Sequence, residues 1–565
     1  MTSRQDVIRQ VLAEKPEPTV ALTPFTGLHI DDLKQIASKT ALQGVRQPLI
    51  LAKHLSSHAR KLVEILAAGG DYSPQLGDAR FRDEAWQDSG LYSRVMKAYL
   101  AGNESFQEWV DDLELNSVDR LRAEFLMRII GDTFSPTNTL LGNPAALRKA
   151  RETRGKSLIQ GVKNLVSDVR NNHGIPSQVK GDSFELGKNI ATSPGVVVFK
   201  NDVLELIQYK PSTAQVHRRP LLMVSAPINK FYALDLTPDR SMIKYGIDNG
   251  IQVFAVSWAN PSMEDADWGV DKYATAVMEA IPVLKSITRS KDLNLYSLCS
   301  GAMMMSAMAA CLKARGDESI HSMTIGVCML EMQLDDMEVS AFASPAVFEQ
   351  VKKRSKKAGV LRGHELALSM LWLRPQELIW GNAVNNYLLG NEPPEFDLLY
   401  WNNDWTNLPG QLHCDVLDMF STGNLLTPGA MELDGTALDL QAVDCDKFIF
   451  GGLSDHITPW AACYRSALVF GGEKEFVLSN SGHMQTMLNS PAKKRASYFS
   501  NKALPEQAED WLEGAELEQG SWWPYWLDWL QARSGSKKNR PKTLGNKAYP
   551  AGVAAPGTYV YQQSE

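Results

Sequence analysis

Apolar residues recur at helical spacing through the first third of the chain. Their intervals of three and four positions place the side chains on one face of a helix. A polar stretch with several glycines, residues 171–195, ends this pattern. We therefore predict a helical N-terminal domain over residues 1–190. The recurring residues are Leu55, Ala59, Leu62 and Leu66, then Phe106, Trp109/Val110 and Leu113, and then Val118, Leu121, Phe125 and Ile129.

After residue 190 the pattern changes to short runs rich in β-branched and aromatic residues. Amphipathic stretches separate most of the later runs, as at Tyr273–Ile287 and Ala302–Ala314. Strands that alternate with helices predict an α/β fold, with a mostly parallel sheet and helices on both faces. We assign this fold to residues 191–565. The predicted strands are Val196–Phe199, Val203–Tyr209, Leu221–Val224, Val253–Ser257, Leu293–Leu298 and Thr324–Leu330.

Cys299 lies where a predicted strand meets a predicted helix, in the sequence Ser297-Leu298-Cys299-Ser300-Gly301. This pattern is typical of the nucleophile elbow of α/β-hydrolases, with a thiol in place of the usual hydroxyl. The elbow requires small residues two positions before and two after the nucleophile, because strand and helix nearly touch there. Ser297 and Gly301 are both small. A thiol exchanges acyl groups readily with thioesters, so the motif predicts acyl transfer before hydrolysis.

Two more residues, which lie later in the chain, complete this arrangement. Asp455 follows the apolar run 447–450, and His483 follows the short run 475–478, so both lie in loops past strand ends. Open α/β sheets build their sites at the carboxyl ends of strands. The chain order of nucleophile, acid and histidine is that of α/β-hydrolases. We predict that Cys299, Asp455 and His483 form a catalytic triad.

Acyl transfer passes through a tetrahedral oxyanion, which needs fixed hydrogen-bond donors. In this fold the usual donors are the amide after the nucleophile and an amide from the loop after the third strand. Those positions correspond to Ser300 and Ile228.

The separation between Cys299 and Asp455 is larger than one strand–helix unit needs, because the two positions differ by 156 (455 − 299). We therefore predict an inserted cap over residues about 335–440, helical in part and then rich in loops. Such a cap excludes water from the site. Water exclusion protects an acyl intermediate from hydrolysis.

Length, composition and charge restrict the classes to which the protein can belong. The 565-residue chain is longer than one ordinary domain, and 44% hydrophobic with 22% charged residues is a globular composition. The net charge of −7 argues against a nucleic-acid partner. An anionic substrate would need a local basic patch. The run 352–357 is a candidate, although a solvated helix face is the favoured interpretation.

The six cysteines include no C-x-x-C or other metal-binding spacing, so we expect no metal site. The first residues lack the apolar segment of a signal peptide. No stretch approaches the ~18 apolar residues of a membrane span. We expect a soluble, reduced, cytoplasmic protein with no transmembrane segment.

Several longer motifs resemble the polyhydroxyalkanoate (PHA) synthase family, most closely its class II (medium-chain-length) type. They occur in the family's order nearly from end to end, and several contain tryptophan, which makes the resemblance specific. The motifs are INKFYALDL at 228–236, SWANP at 257–261, DLLYWN at 397–402, NLPG at 407–410, DHI at 455–457, SGH at 481–483, GSWWP at 520–524 and APGTYV at 555–560.

The resemblance implies an enzyme that joins (R)-3-hydroxyacyl units from CoA thioesters into a polyester and releases CoA, without a cofactor. Cys299 would be the nucleophile, His483 the general base and Asp455 its partner. The resemblance also implies a homodimer at the surface of polymer granules. The N-terminal domain would then serve dimerisation or granule association.

Two motifs depart from the family pattern, at three positions. Its G-x-C-x-G-G motif has Ser297 and Ala302 in place of the outer glycines, and the arginine of its S-W-R-N-P motif is Ala259. Serine and alanine are still small, so we expect the turn to form with tighter packing beside the nucleophile.

Other residues near the predicted site have two open interpretations. Asn229, Tyr400 and Trp401 either line the substrate pocket or brace the cap. His456 is either a second base or, as we favour, a structural histidine, because adjacent residues rarely both face one site.

Two other functions also stay open. A thioesterase or an intracellular polyester depolymerase would use the same scaffold, although the thiol, the cap and the terminal tryptophan motifs argue against hydrolysis. A non-catalytic granule-associated scaffold protein would keep the fold without using Cys299.

Overall fold

The structure is a computed structural model that describes residues 8, 30–68, 70–74, 78–88, 90–330, 345–372, 375–455 and 457–563. Its first part is helical, as the apolar spacing predicts. The helices there are α1 (Ile30–Arg46), α2 (Pro48–Ala68), α3 (Ala85–Asp88), α4 (Gly90–Asp112), α5 (Ser117–Thr133), α6 (Pro144–Glu152) and α7 (Lys156–Asn171).

The predicted helical spacing of α2 is confirmed, but its apolar repeat does not mark the buried face of the helix. Leu55 and Leu66 are 61% and 63% exposed, whereas His54 and Ile65 of the same helix are buried. The helix packs against α4, and His54 Nε2 lies 2.8 Å from Asp112 Oδ2 of that helix. The contact with α4 thus buries the positions next to Leu55 and Leu66, and these two leucines face outward.

The remainder of the chain is built around a β-sheet. Its strands, including those of three small two-stranded sheets, are β1 (Gly195–Lys200), β2 (Leu204–Tyr209), β3 (Gln215–His217), β4 (Leu221–Val224), β5 (Val253–Trp258), β6 (Leu293–Leu298), β7 (Ile320–Gly326), β8 (Val360–Leu361), β9 (Leu408–Pro409), β10 (Glu432–Leu433), β11 (Thr436–Ala437), β12 (Asp446–Gly452), β13 (Lys474–Ser479), β14 (Ser497–Asn501), β15 (Glu516–Gln519) and β16 (Lys537–Asn539).

Within the described residues the main sheet has ten strands, in the order β1-β2-β5-β4-β6-β7-β12-β13-β14-β15. The central strands from β5 to β13 are parallel, and antiparallel strands extend both edges. This confirms the predicted α/β fold. Helices that follow the strands are α8 (Met242–Asp248), α9 (Val270–Thr288), α10 (Cys299–Ala314), α16 (Trp460–Leu468), α17 (His483–Met487), α18 (Ala508–Gly514) and α19 (Trp523–Arg533).

One strand prediction is displaced. The run Thr324–Leu330 predicts a strand that in the structure spans Ile320–Gly326. The strand begins earlier because its polar first half pairs with β6, as Ser322 does with Asn294. It ends earlier because the chain turns away at Val327, whose φ is 44°. The other predicted strands match the observed ones to within one residue.

Between β7 and β12 the chain leaves the sheet. This segment includes the range 335–440 that the sequence predicts as a cap, although residues 335–344 lie outside the described residues. Its elements are α11 (Pro345–Ala358), α12 (Gly363–Leu371), two π-helical turns (Gln376–Trp380 and Val384–Leu388) around α13 (Gly381–Ala383), α14 (Asp397–Asn402) and α15 (Gly410–Thr422).

The N-terminal helix α7 packs directly on this cap segment. A side-chain carbon added at Gly161 would lie 1.9 Å from the carbonyl oxygen of Tyr387. Asn164 donates to the carbonyl of Asn386 at 2.9 Å, and the hydroxyl of Tyr387 donates to Asp168 at 2.8 Å. Helix and cap therefore form one packed unit on this side of the molecule.

The Met303–Met305 run and the Trp522–Trp523 pair are buried and belong to the core. The indole of Trp522 also donates to the carbonyl of Thr486 at 3.0 Å. Trp522 thus supports α17, the helix that begins at His483. Across the described ranges, we find no helix with the length and apolar character of a membrane span.

Candidate active site

The turn between β6 and α10 holds Cys299 in an uncommon backbone conformation. The strand ends at Leu298 and the helix begins at Cys299. Its φ of 50° lies in the left-handed region, which residues other than glycine rarely adopt and which is found at functional turns. Leu298 and Ser300 are buried, while Cys299 stays partly exposed. The turn therefore presents the thiol rather than packing it into the core.

Gly301 is required because the helix nearly touches the neighbouring loop. A side-chain carbon there would lie 2.6 Å from the carbonyl oxygen of Ser225 and 3.0 Å from the nitrogen of Ala226. Ser297 and Ala302, which depart from the family pattern, are completely buried on either side of the turn. Both side chains are small enough for this close approach, so the elbow forms with them in place.

Asp455 lies in the loop after β12, and its carboxylate is fixed from several directions. Oδ1 accepts hydrogen bonds from the backbone amides of Ile457 and Thr458, at 2.8 and 2.9 Å. Oδ2 accepts from the hydroxyl of Thr458 at 2.8 Å. The side chain is completely buried. A buried carboxylate is tolerated when its oxygens are hydrogen-bonded in this way.

His483 lies beside the carboxylate and near the thiol. Its Nδ1 lies 2.7 Å from Asp455 Oδ2, and Cys299 is close enough to contribute to the raised pKa of its imidazole. Because the carboxylate is an acceptor, Nδ1 carries the proton, which leaves Nε2 as the nitrogen that can take another. The structure thus joins Asp455 to His483 and places Cys299 near them, in loops after β12, β13 and β6, while the catalytic triad itself stays a prediction.

The charges of this group stabilise one another. Burial disfavours the charged imidazole, but Asp455 and the contact with Cys299 outweigh burial and raise the pKa of His483 to about 10. Burial also disfavours the Asp455 carboxylate, yet His483 and the hydrogen bonds from Thr458 lower the pKa of this carboxyl below its usual range. An imidazolium is therefore favoured beside the sulfur, which is the state reached when the thiol proton moves to His483.

The two predicted oxyanion donors lie in adjoining segments. Ser300 is the second residue of α10, where the backbone amides have no partner within the helix. Ile228 lies in the loop after β4, and its carbonyl accepts from the amide of Thr406 in the cap segment at 3.3 Å. The contacts of Gly301 hold the start of this loop against the start of the helix. The oxyanion role of both amides stays a prediction.

Asn229, Tyr400 and Trp401 all make contacts between the cap and other segments of the chain. Asn229 forms a backbone bridge to the cap segment. Trp401 is buried, and its indole donates to the carbonyl of Lys230 at 2.7 Å. The ring of Tyr400 packs against Phe184 at 5.2 Å. These contacts tie the cap to the loop after β4 and to the segment before the sheet, and so they favour bracing over pocket lining.

The two remaining candidates are His456 and the basic run 352–357. His456 lies outside the described residues. The basic run 352–357 belongs to α11, where Lys352 pairs with Asp418 at 2.7 Å and the remaining lysines are exposed. The run is therefore the solvated helix face that the sequence favours.

A cavity of about 760 Å³ adjoins the histidine of this group. Its volume is in the range of small-molecule sites. It is lined by the loops at Ser454 and His483, by cap residues between His364 and Trp405, by the N-terminal residues 171–178 and by Gln563. Both apolar and polar side chains line it, so an acyl chain and polar groups can both be accommodated.

Sequence reasoning missed two residues of this site. Thr458 fixes the Asp455 carboxylate, and its hydroxyl also lies 3.2 Å from Nδ1 of His483. Its signal was the spacing D-x-x-T just before a helix, which is common where a carboxylate accepts from the following amides. Asp404 brings a carboxylate to the cavity, and nothing in its neighbouring sequence indicated this.

A thiol at a strand–helix elbow, followed along the chain by a carboxylate and a histidine on a mostly parallel sheet, defines an α/β-hydrolase-fold protein with an acyl-transfer type of site. Residues 239–490 match the family described as alpha/beta hydrolase fold, and residues 77–246 match the one described as Poly-beta-hydroxybutyrate polymerase (PhaC) N-terminus. The chain belongs to the poly(3-hydroxyalkanoate) polymerase family, as its motifs predict.

Three relatives illustrate this membership. Poly(3-hydroxyalkanoate) polymerase 1 of Ectopseudomonas oleovorans is 44% identical, with 97% of this chain and 98% of that protein covered. Polymerase 2 of the same organism is 41% identical, with 97% and 100% covered. The polymerase subunit PhaC of Cupriavidus necator is 38% identical, with 86% and 83% covered.

Proposed function

We propose that this chain polymerises (R)-3-hydroxyacyl units from CoA thioesters into a polyester and releases CoA. Cys299, His483 and Asp455 act as the catalytic triad. The names of the relatives, poly(3-hydroxyalkanoate) polymerases, support acyl transfer to a hydroxyl over hydrolysis. Each thioester supplies the activation for its own transfer, so the reaction needs no cofactor.

In the first half-reaction His483 takes the thiol proton of Cys299 at Nε2, and the sulfur attacks the thioester carbonyl. The amides of Ser300 and Ile228 stabilise the oxyanion that forms. The bond from the acyl carbon to the CoA sulfur then breaks, and His483 returns the proton to that sulfur. The products are free CoA and an acyl thioester on Cys299, which is similar in energy to the thioester consumed.

In the second half-reaction the hydroxyl of another unit or of the chain end gives its proton to His483. Its oxygen attacks the acyl carbon on Cys299 and forms an ester bond. The carbon–sulfur bond breaks, and the sulfur recovers the proton from His483. Asp455 keeps the imidazole in the required tautomer and stabilises its charged form in both steps.

One observation supports the proposal above all: a thiol at a left-handed turn contributes to the raised pKa of a histidine whose Nδ1 is held by a buried carboxylate. The test is incubation of the purified protein with (R)-3-hydroxydecanoyl-CoA. Release of CoA together with insoluble polymer is expected. Release of CoA with soluble free acid would instead identify a thioesterase.

The role of the thiol is tested with Cys299→Ala, which should abolish CoA release and polymer formation. Cys445→Ala is the matched control, because Cys445 is another partly buried free thiol and should be dispensable. Polymer formation in cells that is unchanged by Cys299→Ala would support the scaffold function and contradict catalysis.

For the partners, we infer that α7 contacts the polymer surface. Its exposed apolar residues lie at intervals of three and four positions, or multiples of these, and form a stripe along one side of the helix. Exposed apolar patches of this kind mark interaction surfaces. The opposite side, with Gly161 and Asp168, packs on the cap. The residues of this α7 stripe are Ile159, Val162, Leu165, Val166 and Val169.

Co-sedimentation with washed polyester particles tests this surface. Val162→Glu and Val169→Glu should weaken binding about tenfold or more, since each places a charge in an apolar contact. Gln160→Glu is the control, because it adds the same charge at an exposed polar position of the same helix. If the variants bind particles normally but no longer form dimers, the α7 stripe is a subunit interface. We place the protein in the cytoplasm, at the granule surface, where the thiol stays reduced.

A further inference from the structure

Asp404 is a carboxylate in the cavity that the mechanism above does not use. It follows α14 in the cap, is partly exposed, and lines the same cavity as His483. Its Oδ2 accepts a hydrogen bond from the hydroxyl of Tyr232 at 2.9 Å. In the described part of the chain no cation forms an ion pair with it. Lys230 on the neighbouring loop acts on the carboxylate by charge, but its Nζ donates to the carbonyl of Gln562.

The backbone around Asp404 is fastened to the loop of the predicted oxyanion donor. The hydroxyl of Thr406 donates to the carbonyl of Pro227 at 2.8 Å, and its amide donates to the carbonyl of Ile228. Trp405 forms a backbone bridge with Asn229. The carboxylate is therefore held beside the loop that would bind the carbonyl oxygen of an acyl group on Cys299.

A partly buried carboxylate is stabilised by donors, because removing an acceptor from water without replacing its hydrogen bonds is costly. Tyr232 supplies one, and an ionised carboxylate can accept several more. In a 3-hydroxyacyl group the hydroxyl is the donor next to the reacting carbonyl, and it stays in the site after CoA has left. A plain acyl chain offers no donor at this position.

We propose that Asp404 accepts a hydrogen bond from the 3-hydroxyl of the acyl substrate, and that this contact selects 3-hydroxyacyl thioesters over plain acyl thioesters. Tyr232 acts as a positioning residue that holds the carboxylate in the required orientation. This inference rests on the proposed function, because it assumes that Cys299 is acylated.

The test measures the first turnover of CoA release with two substrates, (R)-3-hydroxydecanoyl-CoA and decanoyl-CoA. Wild-type protein should prefer the hydroxylated substrate by about 100-fold or more, since a site built to bind a hydroxyl rejects the analogue that lacks it. Asp404→Ala should reduce this ratio about tenfold or more. Asp404→Asn keeps one acceptor oxygen and should give an intermediate ratio. Tyr232→Phe should lower the ratio less than Asp404→Ala.

The matched control is Asp397→Asn, also in the cap. Asp397 is a buried carboxylate whose partners are Arg240 and Thr237, and the ratio of the two rates should stay at the wild-type value in this variant. The same result in Asp404→Ala would overturn the inference, even if both rates fell, because an equal loss indicates a structural role.

Wild-type protein alone provides a second test that does not depend on whether a variant folds. Equal first-turnover rates for the two substrates would overturn the inference while leaving the polymerase function intact. If neither substrate releases CoA, the proposed function itself fails, and the inference fails with it. The two failures are therefore distinguishable.

Discussion

Asp455→Asn tests the central geometry of the site, because the structure determines which way the new amide must face. Oδ1 of Asp455 accepts from two backbone amides, those of Ile457 and Thr458. Those amides need an oxygen opposite them, so the oxygen of the asparagine will keep that position. The amide nitrogen must then occupy the position of Oδ2, facing His483.

The consequence is a change of tautomer. The asparagine nitrogen donates to Nδ1 of His483, so the proton of the imidazole moves to Nε2. A protonated Nε2 cannot take the proton of Cys299. The equivalent change in a Ser-His-Asp enzyme lowers turnover about 10⁴-fold. We expect a loss of about 10³- to 10⁴-fold in kcat/KM, or about 4–5.5 kcal/mol of transition-state stabilisation.

The assay is CoA release from (R)-3-hydroxydecanoyl-CoA, accompanied by the rate of Cys299 alkylation at neutral pH. In Asp455→Asn the alkylation should be slower than in wild-type protein, because His483 can no longer take the thiol proton at Nε2. Thermal melting checks that the variant is folded. A folded variant with activity within tenfold of wild type and an unchanged alkylation rate would refute the proposed coupling.

Three further outcomes are expected. Cys299→Ser should melt at the wild-type temperature and lose about 100-fold or more of polymer formation, because the hydroxyl is a far weaker nucleophile than the thiolate; near-normal yield would count against the thiol. Gly301→Ala should reduce the free energy of unfolding in urea by about 1–3 kcal/mol, since its methyl group would press on the backbone of Ser225, and an unchanged midpoint would contradict this. The pKa of His483 is raised to about 10. Its contribution to stability is therefore complete below the pKa of an unfolded histidine, about 6.5, and is lost as the pH rises towards 10. The difference in unfolding free energy between wild type and His483→Gln should shrink over that range, and a constant difference would contradict the ion pair.

The central strands and the elbow could be predicted from the sequence because local patterns determine them. β4 is a continuous apolar run, and β5 and β6 are mostly apolar and completely buried, which is typical of strands covered on both faces. Cys299, Asp455 and His483 each follow such a run, so knowing the strands was enough to place all three at one edge of the sheet. Placing the three residues at this edge did not require the distances between their side chains.

Features that depend on distant partners could not be predicted in this way. The exposed face of α2 is decided by which stripe meets α4, not by the apolar repeat of α2 itself. The first half of β7 contains His321 and Ser322 and becomes a strand through pairing with β6 and β12. Asp404 reaches the cavity because Thr406, two residues later, is hydrogen-bonded to the loop after β4. This contact joins positions that are far apart in the sequence.

The same contacts couple the cap to the chemistry. The loop after β4 meets the start of α10 through Gly301, and it meets the cap through Trp401 and Thr406. A displacement of the cap would therefore move Ile228, one of the proposed oxyanion donors, relative to Cys299. Because those hydrogen bonds join the cap to the loop of a proposed oxyanion donor, a cap held in this position would both exclude water and complete the proposed oxyanion site. Under the proposed mechanism, the acyl enzyme would then be most reactive only while it is protected from hydrolysis, a property that a polymerase needs and a thioesterase does not.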